Sequence, residues 1–351
     1  MLLHRLQPLR STCVVLAALL ADAGSVPSAA PRDGTLVRGM TISCQTWGRE
    51  WGTDGFAIEL DRLRELGVNW VAIHPYAGIR GDGALEWRDL DPAAPPDWIA
   101  RPIREAHARG MSILVVPHVA QWGSPWEYRG EIEFADAAAV ERFFADYTRW
   151  ISAVAACARG ADGFAIASEL DRLSGHEDRW RRVIADVRAV TDSRLTWAAS
   201  WNCYRDVNFW DALDCIGIQA YFPLSTAEDP DVAELRAAWV PILSDLRALH
   251  ERTGKPVVFT ELGYNRSLAS AREPWAYPQE SGELAARAEA LQVRCLSTAL
   301  GAIEAESDWL RGAILWKWFV GSARRANFLM SEPAVRAAIA SVWARDGDRP
   351  R

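Results

Sequence analysis

The chain has 351 residues and a formal net charge of −7, and half of its residues are apolar. This balance is typical of a globular protein with a sizeable core. The negative charge argues against nucleic acid and against anionic membrane surfaces as partners. The 18 tryptophans are more than a core of this size needs.

The N-terminus has the pattern of an export signal. Arg5 and Arg10 precede the apolar run Cys13–Ala21, and small residues follow it. The run is far shorter than the roughly 20 residues that a membrane-spanning helix needs. We therefore expect residues 1–30 to be a signal peptide, residues 36–345 to form the functional domain, and the protein to be periplasmic or extracellular, without membrane insertion. The alternative is an extension from a wrongly assigned start codon.

The cysteines do not form a metal-binding pattern. Removal of the signal would leave five cysteines whose spacing is not that of metal ligands; they are Cys44, Cys157, Cys203, Cys215 and Cys295. We expect most of them to be small buried apolar residues, with one disulfide possible in an exported protein. No cofactor is implied, and nothing in the sequence indicates the oligomeric state.

From about residue 37 the chain alternates strand-like and helical segments. Eight short apolar runs are predicted as strands: Arg38–Ser43, Val68–His74, Ser112–His118, Gly163–Ser168, Leu195–Ser200, Cys215–Tyr221, Pro256–Glu261 and Gly312–Trp318. Continuous apolar runs are typical of parallel strands that are buried on both faces. Amphipathic helices lie between them, for example Phe56–Leu66, which ends at Gly67.

Eight such units over about 310 residues predict an α/β fold, a single (β/α)8 TIM barrel. A doubly wound open sheet is the alternative. That fold usually carries a glycine-rich nucleotide loop after its first strand, and residues 44–51 (CQTWGREW) do not have this composition.

Two of the predicted strands end in a glutamate. Phe164–Glu169 and Val257–Glu261 are apolar runs, and an unpaired carboxylate in a buried strand is costly. At the C-terminal ends of the fourth and seventh strands, however, the carboxylates would face each other across the mouth of the barrel. Facing carboxylates are the groups that cleave glycosidic bonds.

The other predicted strands also end in polar or aromatic residues, which a purely structural barrel would not require at every position. The active site of such a barrel lies at these ends. The candidates at or just after the strand ends are Trp47, His74, His118, Trp122, Ser168, Asn202, Tyr221, Trp316 and Trp318. A single histidine at such a position is about as often a packed core residue as a ligand contact.

Several of these segments resemble clan A retaining glycoside hydrolases, and most closely glycoside hydrolase family 113, the β-mannanase-like barrels. The segments are His74-Pro-Tyr, Ala167-Ser-Glu-Leu, Ile218-Gln-Ala-Tyr-Phe-Pro, Phe259-Thr-Glu-Leu-Gly-Tyr and Leu315-Trp-Lys-Trp-Phe. The resemblance covers nearly the whole mature chain. Many clan members have Asn, which binds the sugar 2-hydroxyl, at the position of Ser168.

The resemblance implies a role for each residue. Glu169 would be the general acid/base and Glu261 the nucleophile of a double displacement on a β-linked polysaccharide or oligosaccharide, β-1,4-mannan or a related hemicellulose. Tyr221 would hold Glu261 in place. Trp316 or Trp318, which the alternation of a strand points the same way, would form the floor under the reacting sugar.

The remaining candidates have simpler hypothetical roles. His74, His118 and Asn202 could hydrogen-bond sugar hydroxyls, and Trp47 and Trp122 could stack on outer sugars. The sequence leaves the sugar, and internal or terminal cleavage, open.

Two other functions compete with hydrolysis by paired glutamates. A non-catalytic carbohydrate-binding barrel would usually lack one of the two carboxylates. A metal-dependent hydrolase on this fold would need a His-x-His pair on the first strand, and residues 39–43 (GMTIS) contain no ligand. We therefore predict a carbohydrate substrate and no metal.

Overall fold

The computed structural model describes residues 35–344, except residue 89 and residues 324–326. The predicted export signal, residues 1–30, lies outside the described residues, as does residue 345 at the predicted end of the domain. No helix of the described part is long and apolar enough to cross a membrane.

Eight parallel strands form a closed barrel, and every neighbouring pair is parallel. In chain order they are β1 (Val37–Ser43), β2 (Trp70–Ile73), β3 (Ser112–Val115), β4 (Gly163–Ser168), β5 (Arg194–Ser200), β6 (Ile216–Gln219), β7 (Val257–Leu262) and β8 (Leu310–Phe319). Each of the eight predicted strands overlaps one of these. The prediction of a single (β/α)8 barrel is therefore confirmed.

Seven α-helices surround the barrel in the described part of the chain. They are α1 (Asp54–Glu65), α2 (Asp97–Ala108), α3 (Ala137–Cys157), α4 (Glu177–Arg188), α5 (Val232–Thr253), α6 (Ala285–Ala305) and α7 (Pro333–Trp343). The connection from β5 to β6, residues 201–215, contains two short 3-10 turns and no α-helix. The expectation of a helix after every strand was therefore wrong at this one connection.

The barrel interior is filled by small and branched side chains, which allows the strands to close tightly. One buried cluster holds Ala72, Leu114, Val116, Ala165, Ala198 and Ile314. A much larger cluster lies between the strands and the helices and contains most of the buried tryptophans. All five cysteines of the described residues are free. Most were expected to be buried, but only Cys157 and Cys295 are, whereas Cys44, Cys203 and Cys215 are half-buried.

A second, three-stranded sheet extends the barrel at the ends of β2 and β3. Its strands are Tyr76–Ile79, Leu85–Glu86 and His118–Ala120. The predicted second and third strands therefore end earlier than the sequence indicated, and His74 and His118 lie just past the barrel. This sheet holds the two histidines at the rim where the strand ends converge.

Candidate active site

A cavity of about 620 Å³ opens at the C-terminal ends of the strands. Both glutamates line it: Glu169 directly follows β4, and Glu261 lies near the end of β7. The other lining residues are His118, Gln121, Glu127, Tyr128, Arg129, Ser200, Trp201, Asn202, Tyr221, Trp275, Ala276, Tyr277, Trp316 and Phe328. The arrangement is thus a polar, aromatic-walled cavity around two carboxylates.

The strands that carry the glutamates are both irregular at this end. In the pairing of β4 with β5, Ala165 lies opposite Thr196 and Ser168 lies opposite Ala198. β4 therefore has one more residue than β5 over this stretch. Glu169 itself has φ 52°, in the left-handed region that non-glycine residues rarely adopt. β7 likewise has one extra residue between Phe259 and Glu261. Bulges of this kind re-aim side chains beside active sites, and here they turn both carboxylates into the cavity.

Glu261 accepts a hydrogen bond from one neighbour and lies close to a second polar group. Tyr221 Oη donates to Glu261 Oε2 at 2.8 Å, and His118 Nε2 lies 3.7 Å from Oε1. Burial raises the pKa of Glu261, while the Tyr221 hydroxyl and the charge of Arg129 lower it. The pKa of Glu261 is raised overall because burial is the largest effect, and these neighbours oppose the rise by stabilising the carboxylate form.

Glu169 has a different environment. Burial raises the pKa of Glu169 to about 8; Arg129 opposes this rise, and the charges of Glu261 and Asp171 add to it. The only ion pair of its carboxylate among the described residues is with Arg129, whose Nη1 lies 3.4 Å from Oε2. Glu169 is thus a carboxyl group that can hold a proton near neutral pH.

The two predicted histidines form a stacked pair. The rings of His74 and His118 lie 5.0 Å apart with an interplanar angle of 16°, and both are almost fully buried. Burial lowers the pKa of His74 to about 3 and moves that of His118 well below its usual value. Their ring nitrogens have no hydrogen-bond partner in the described part of the chain. Both imidazoles are therefore neutral, and of the two only His118 lines the cavity.

Trp316 and Trp318, the two tryptophans predicted to form the floor under the sugar, lie in different environments. Trp316 lines the cavity and packs with Tyr221 and Phe328. Trp318 is instead part of the large cluster outside the strands. The expectation that both point the same way was wrong, because β8 contains an extra residue: Leu315 to Trp318 on β8 pairs with Met40 to Ile42 on β1.

Of the other candidates, one lines the cavity and three lie outside its lining. Asn202 lines it, whereas Ser168 is buried behind it, where its Oγ accepts a hydrogen bond from Gln219 at 3.0 Å. Trp47 and Trp122 lie outside the lining, 5.8 Å apart edge to face, and are 42% and 63% exposed. They are joined to the cavity wall through Tyr76, whose ring contacts both of them and His118.

Several cavity residues were not predicted from the sequence. The clearest are Tyr128, Arg129, Tyr277 and Phe328. All four come from connections that follow strands, where no periodic pattern marks an inward-facing residue. Among the described residues no group of three or more His, Cys, Asp or Glu side chains could hold a metal ion.

Two carboxylates at the ends of β4 and β7, in an aromatic-walled cavity of a parallel barrel, define a glycoside hydrolase. The sequence model of Glycoside Hydrolase Family 113 matches residues 40–327, and the chain belongs to this family. The predicted resemblance is therefore confirmed. No curated protein sequence matches the chain.

Solved structures of the family have the same fold. The GH113 β-mannanase from Alicyclobacillus acidocaldarius superposes with a TM-score of 0.73 at 25% identity, over 88% of this chain and 97% of that chain. A GH113 β-1,4-mannanase gives 0.75 at 20% identity, over 89% and 99%. A β-glucuronidase from Ruminococcus gnavus shares the fold more distantly, with a TM-score of 0.58 at 12% identity, over 88% of this chain and 50% of that chain.

Proposed function

We propose that this enzyme hydrolyses β-1,4-mannan or a related hemicellulose with retention of configuration, with Glu261 as nucleophile and Glu169 as general acid/base. The observation that carries the proposal is the difference between the two carboxylates. Glu261 accepts the Tyr221 hydrogen bond, which favours the charged form that attacks. Glu169 is a buried carboxyl with a raised pKa, which favours the protonated form that acts as an acid.

The proposed reaction has two steps. Glu261 attacks the anomeric carbon while Glu169 protonates the departing glycosidic oxygen, which leaves a glycosyl-enzyme intermediate. Glu169, now a carboxylate, then removes a proton from water as the water displaces Glu261. The sugar would rest on Trp316, with neutral His118 and Asn202 within reach of its hydroxyls. Solved structures of the family named as β-mannanase and β-1,4-mannanase support mannan as the substrate.

The test is hydrolysis of mannan-, glucan- and xylan-derived β-linked oligosaccharides, with the anomer of the first product read by NMR. Wild type should cleave the mannan series with retention. Glu169→Ala and Glu261→Ala should each lose at least about 10³-fold in kcat, by comparison with other catalytic-residue deletions. Azide should restore turnover to a nucleophile-deleted variant with an inverted product, so it should rescue Glu261→Ala in that way.

The outcomes that reject the proposal are specific. An inverted product from wild type would exclude double displacement. Full activity in either variant would remove that glutamate from the mechanism. Binding of oligosaccharide without any turnover would favour the carbohydrate-binding barrel.

A further inference from the structure

Arg129 brings a fixed positive charge into the cavity. It begins a 3-10 turn, Arg129–Glu131, in the connection after β3. Its side chain is only 15% exposed, and Nη1 lies 3.4 Å from Oε2 of Glu169. An arginine next to the general acid is unexpected, because its charge favours the ionised carboxylate, which cannot donate a proton.

Within the part of the chain that the structure describes, the guanidinium of Arg129 has donors that no protein group accepts from. A guanidinium carries five N–H donors, yet the side chain of Arg129 makes no hydrogen bond within the described residues and has Glu169 as its one ion-pair partner there. The group lines the cavity, so it borders the space that substrate would occupy. The side chain is 15% exposed and none of its nitrogens is among the buried atoms of the described residues that lack a partner, so these donors are open to the cavity, and the geometry points to acceptor atoms on a ligand that would replace solvent there.

A network of short hydrogen bonds fixes the turn that carries Arg129. Oδ2 of Asp171 accepts hydrogen bonds from Tyr128 at 2.8 Å and from Ser200 at 2.6 Å. Gly130 lies so close to this carboxylate that a Cβ there would be 2.6 Å from Oδ2. The connection after β3 is thus fastened to the ends of β4 and β5, and Arg129 is held beside Glu169.

We propose that Arg129 is a substrate-binding residue, which pairs with Glu169 in the free enzyme and donates hydrogen bonds to sugar hydroxyl oxygens next to the scissile bond when substrate is bound. The proposal rests on the proposed function above. A neutral sugar offers pairs of adjacent hydroxyls, which match the forked donors of a guanidinium. A lysine would keep the positive charge but lack the forked pair of donors, so it could replace Arg129 only in part.

Movement of Arg129 from Glu169 to the substrate should change the pH dependence of activity. The charged and titratable groups that face Glu169 are Arg129, Asp171, Glu261, Tyr128, Tyr221 and Tyr277. Of the charged ones, only Arg129 lowers the pKa of Glu169. When substrate draws the guanidinium away, that pKa rises. The alkaline limb of kcat, which reports the complex, should therefore lie at higher pH than the limb of kcat/KM, which reports the free enzyme.

The test compares wild type with Arg129→Gln, Arg129→Lys and Arg172→Gln on β-1,4-mannohexaose between pH 4 and 10. Arg172 is the matched control, because it is an exposed arginine on the adjacent turn that pairs with Glu133. Arg129→Gln should raise KM by about 10- to 100-fold, the effect expected for lost charge-assisted hydrogen bonds. It should also move the alkaline limb of kcat/KM up to that of kcat. Arg129→Lys should recover part of the KM loss, and Arg172→Gln should match wild type.

Tyr128→Phe tests the same proposal without removing the charge. It should raise KM less than Arg129→Gln does, and the double variant should be no worse than Arg129→Gln alone, because both changes act through one guanidinium. Thermal unfolding of each variant establishes that it is folded.

Three results distinguish failure of the role of Arg129 from failure of the proposed function. An active wild type whose KM and alkaline limb are unchanged by Arg129→Gln would overturn the role of Arg129 and leave the proposed function standing. If wild type binds mannohexaose without cleaving it, calorimetry decides: weaker binding by Arg129→Gln supports the contact, and equal binding rejects it. If wild type neither cleaves nor binds the oligosaccharide panel, the proposed function fails and the role of Arg129 fails with it.

Discussion

The hydroxyl of Tyr221 donates a 2.8 Å hydrogen bond to Oε2 of Glu261. The bond joins the end of the sixth strand to the seventh inside the cavity, and it stabilises the charged form of the carboxylate. Burial alone would favour the neutral form, because it raises the pKa of Glu261. The hydrogen bond from Tyr221 thus opposes the rise in the pKa of Glu261 that burial causes.

Replacing Tyr221 by Phe should therefore weaken Glu261 in its proposed role as nucleophile. A hydrogen bond to a charged group contributes about 1.5–3 kcal/mol, so kcat/KM should fall by roughly 10- to 100-fold. Without the donor the pKa of Glu261 is higher, and activity needs the ionised form, so the acidic limb of kcat/KM should move to higher pH. A pH–rate profile of Tyr221→Phe measures both effects. An unchanged acidic limb would mean that the hydrogen bond does not tune Glu261.

The raised pKa of Glu169 predicts a pH dependence of stability. Because the folded state binds this proton more tightly than the unfolded chain does, the contribution is complete below the ordinary carboxyl pKa and is lost as pH rises through about 8. Glu169→Gln cannot titrate. Its Tm relative to wild type should thus be constant near pH 4 and increase between about pH 4.5 and 8.

The matched control for this stability measurement is Glu133→Gln, which replaces an exposed carboxylate. Both variants would be followed by calorimetry at the same series of pH values. A Tm difference for Glu169→Gln that runs parallel to the control across the range would show that Glu169 is not a proton-binding site of the fold.

Trp318 is predicted to serve stability rather than catalysis. Its indole N–H donates to Oε2 of Glu59 at 2.8 Å, and Glu59 is only 3% exposed. Trp318→Phe would leave that buried oxygen without its donor, which costs about 1–3 kcal/mol. Denaturant unfolding should therefore show a loss of this size, with kcat and KM close to those of wild type.

The comparison variant is Trp316→Phe, two residues along the same strand. Since Trp316 lines the cavity and Trp318 does not, the two variants should give opposite results: Trp316→Phe should change KM or kcat and affect unfolding less. If Trp318→Phe lost activity and kept its stability, the assignment of the two tryptophans to opposite sides of the strand would be wrong.

The parts of this fold that follow from local pattern could be predicted from the sequence. Continuous apolar runs identified all eight barrel strands, because strands buried on both faces need apolar residues throughout. A glutamate at the end of such a run stands out because of its desolvation cost. For this reason Glu169 and Glu261 were found together, and the structure places both in one cavity.

The parts that depend on irregular backbone could not be predicted in this way. Trp316 and Trp318 were expected to point the same way because a strand alternates with period two, and the bulge in β8 breaks that period. Arg129 was missed for another reason: its position depends on the contacts of Tyr128 with Asp171 and Ser200, which are 43 and 72 residues away in the chain. No local signal marks such a contact.

The exposed aromatic residues Trp47 and Trp122 predict a dependence on substrate length. They lie outside the cavity lining and are connected to it through Tyr76, so a sugar chain that extends from the cavity past Tyr76 would cover them. Covering one indole face contributes about 1–2 kcal/mol. Trp122→Ala should therefore raise KM for mannohexaose by roughly 5- to 30-fold and leave KM for mannobiose nearly unchanged. Val240→Ala, which removes an exposed apolar side chain from α5, is the control, and an equal effect of Trp122→Ala on both substrates would place that tryptophan outside the substrate path.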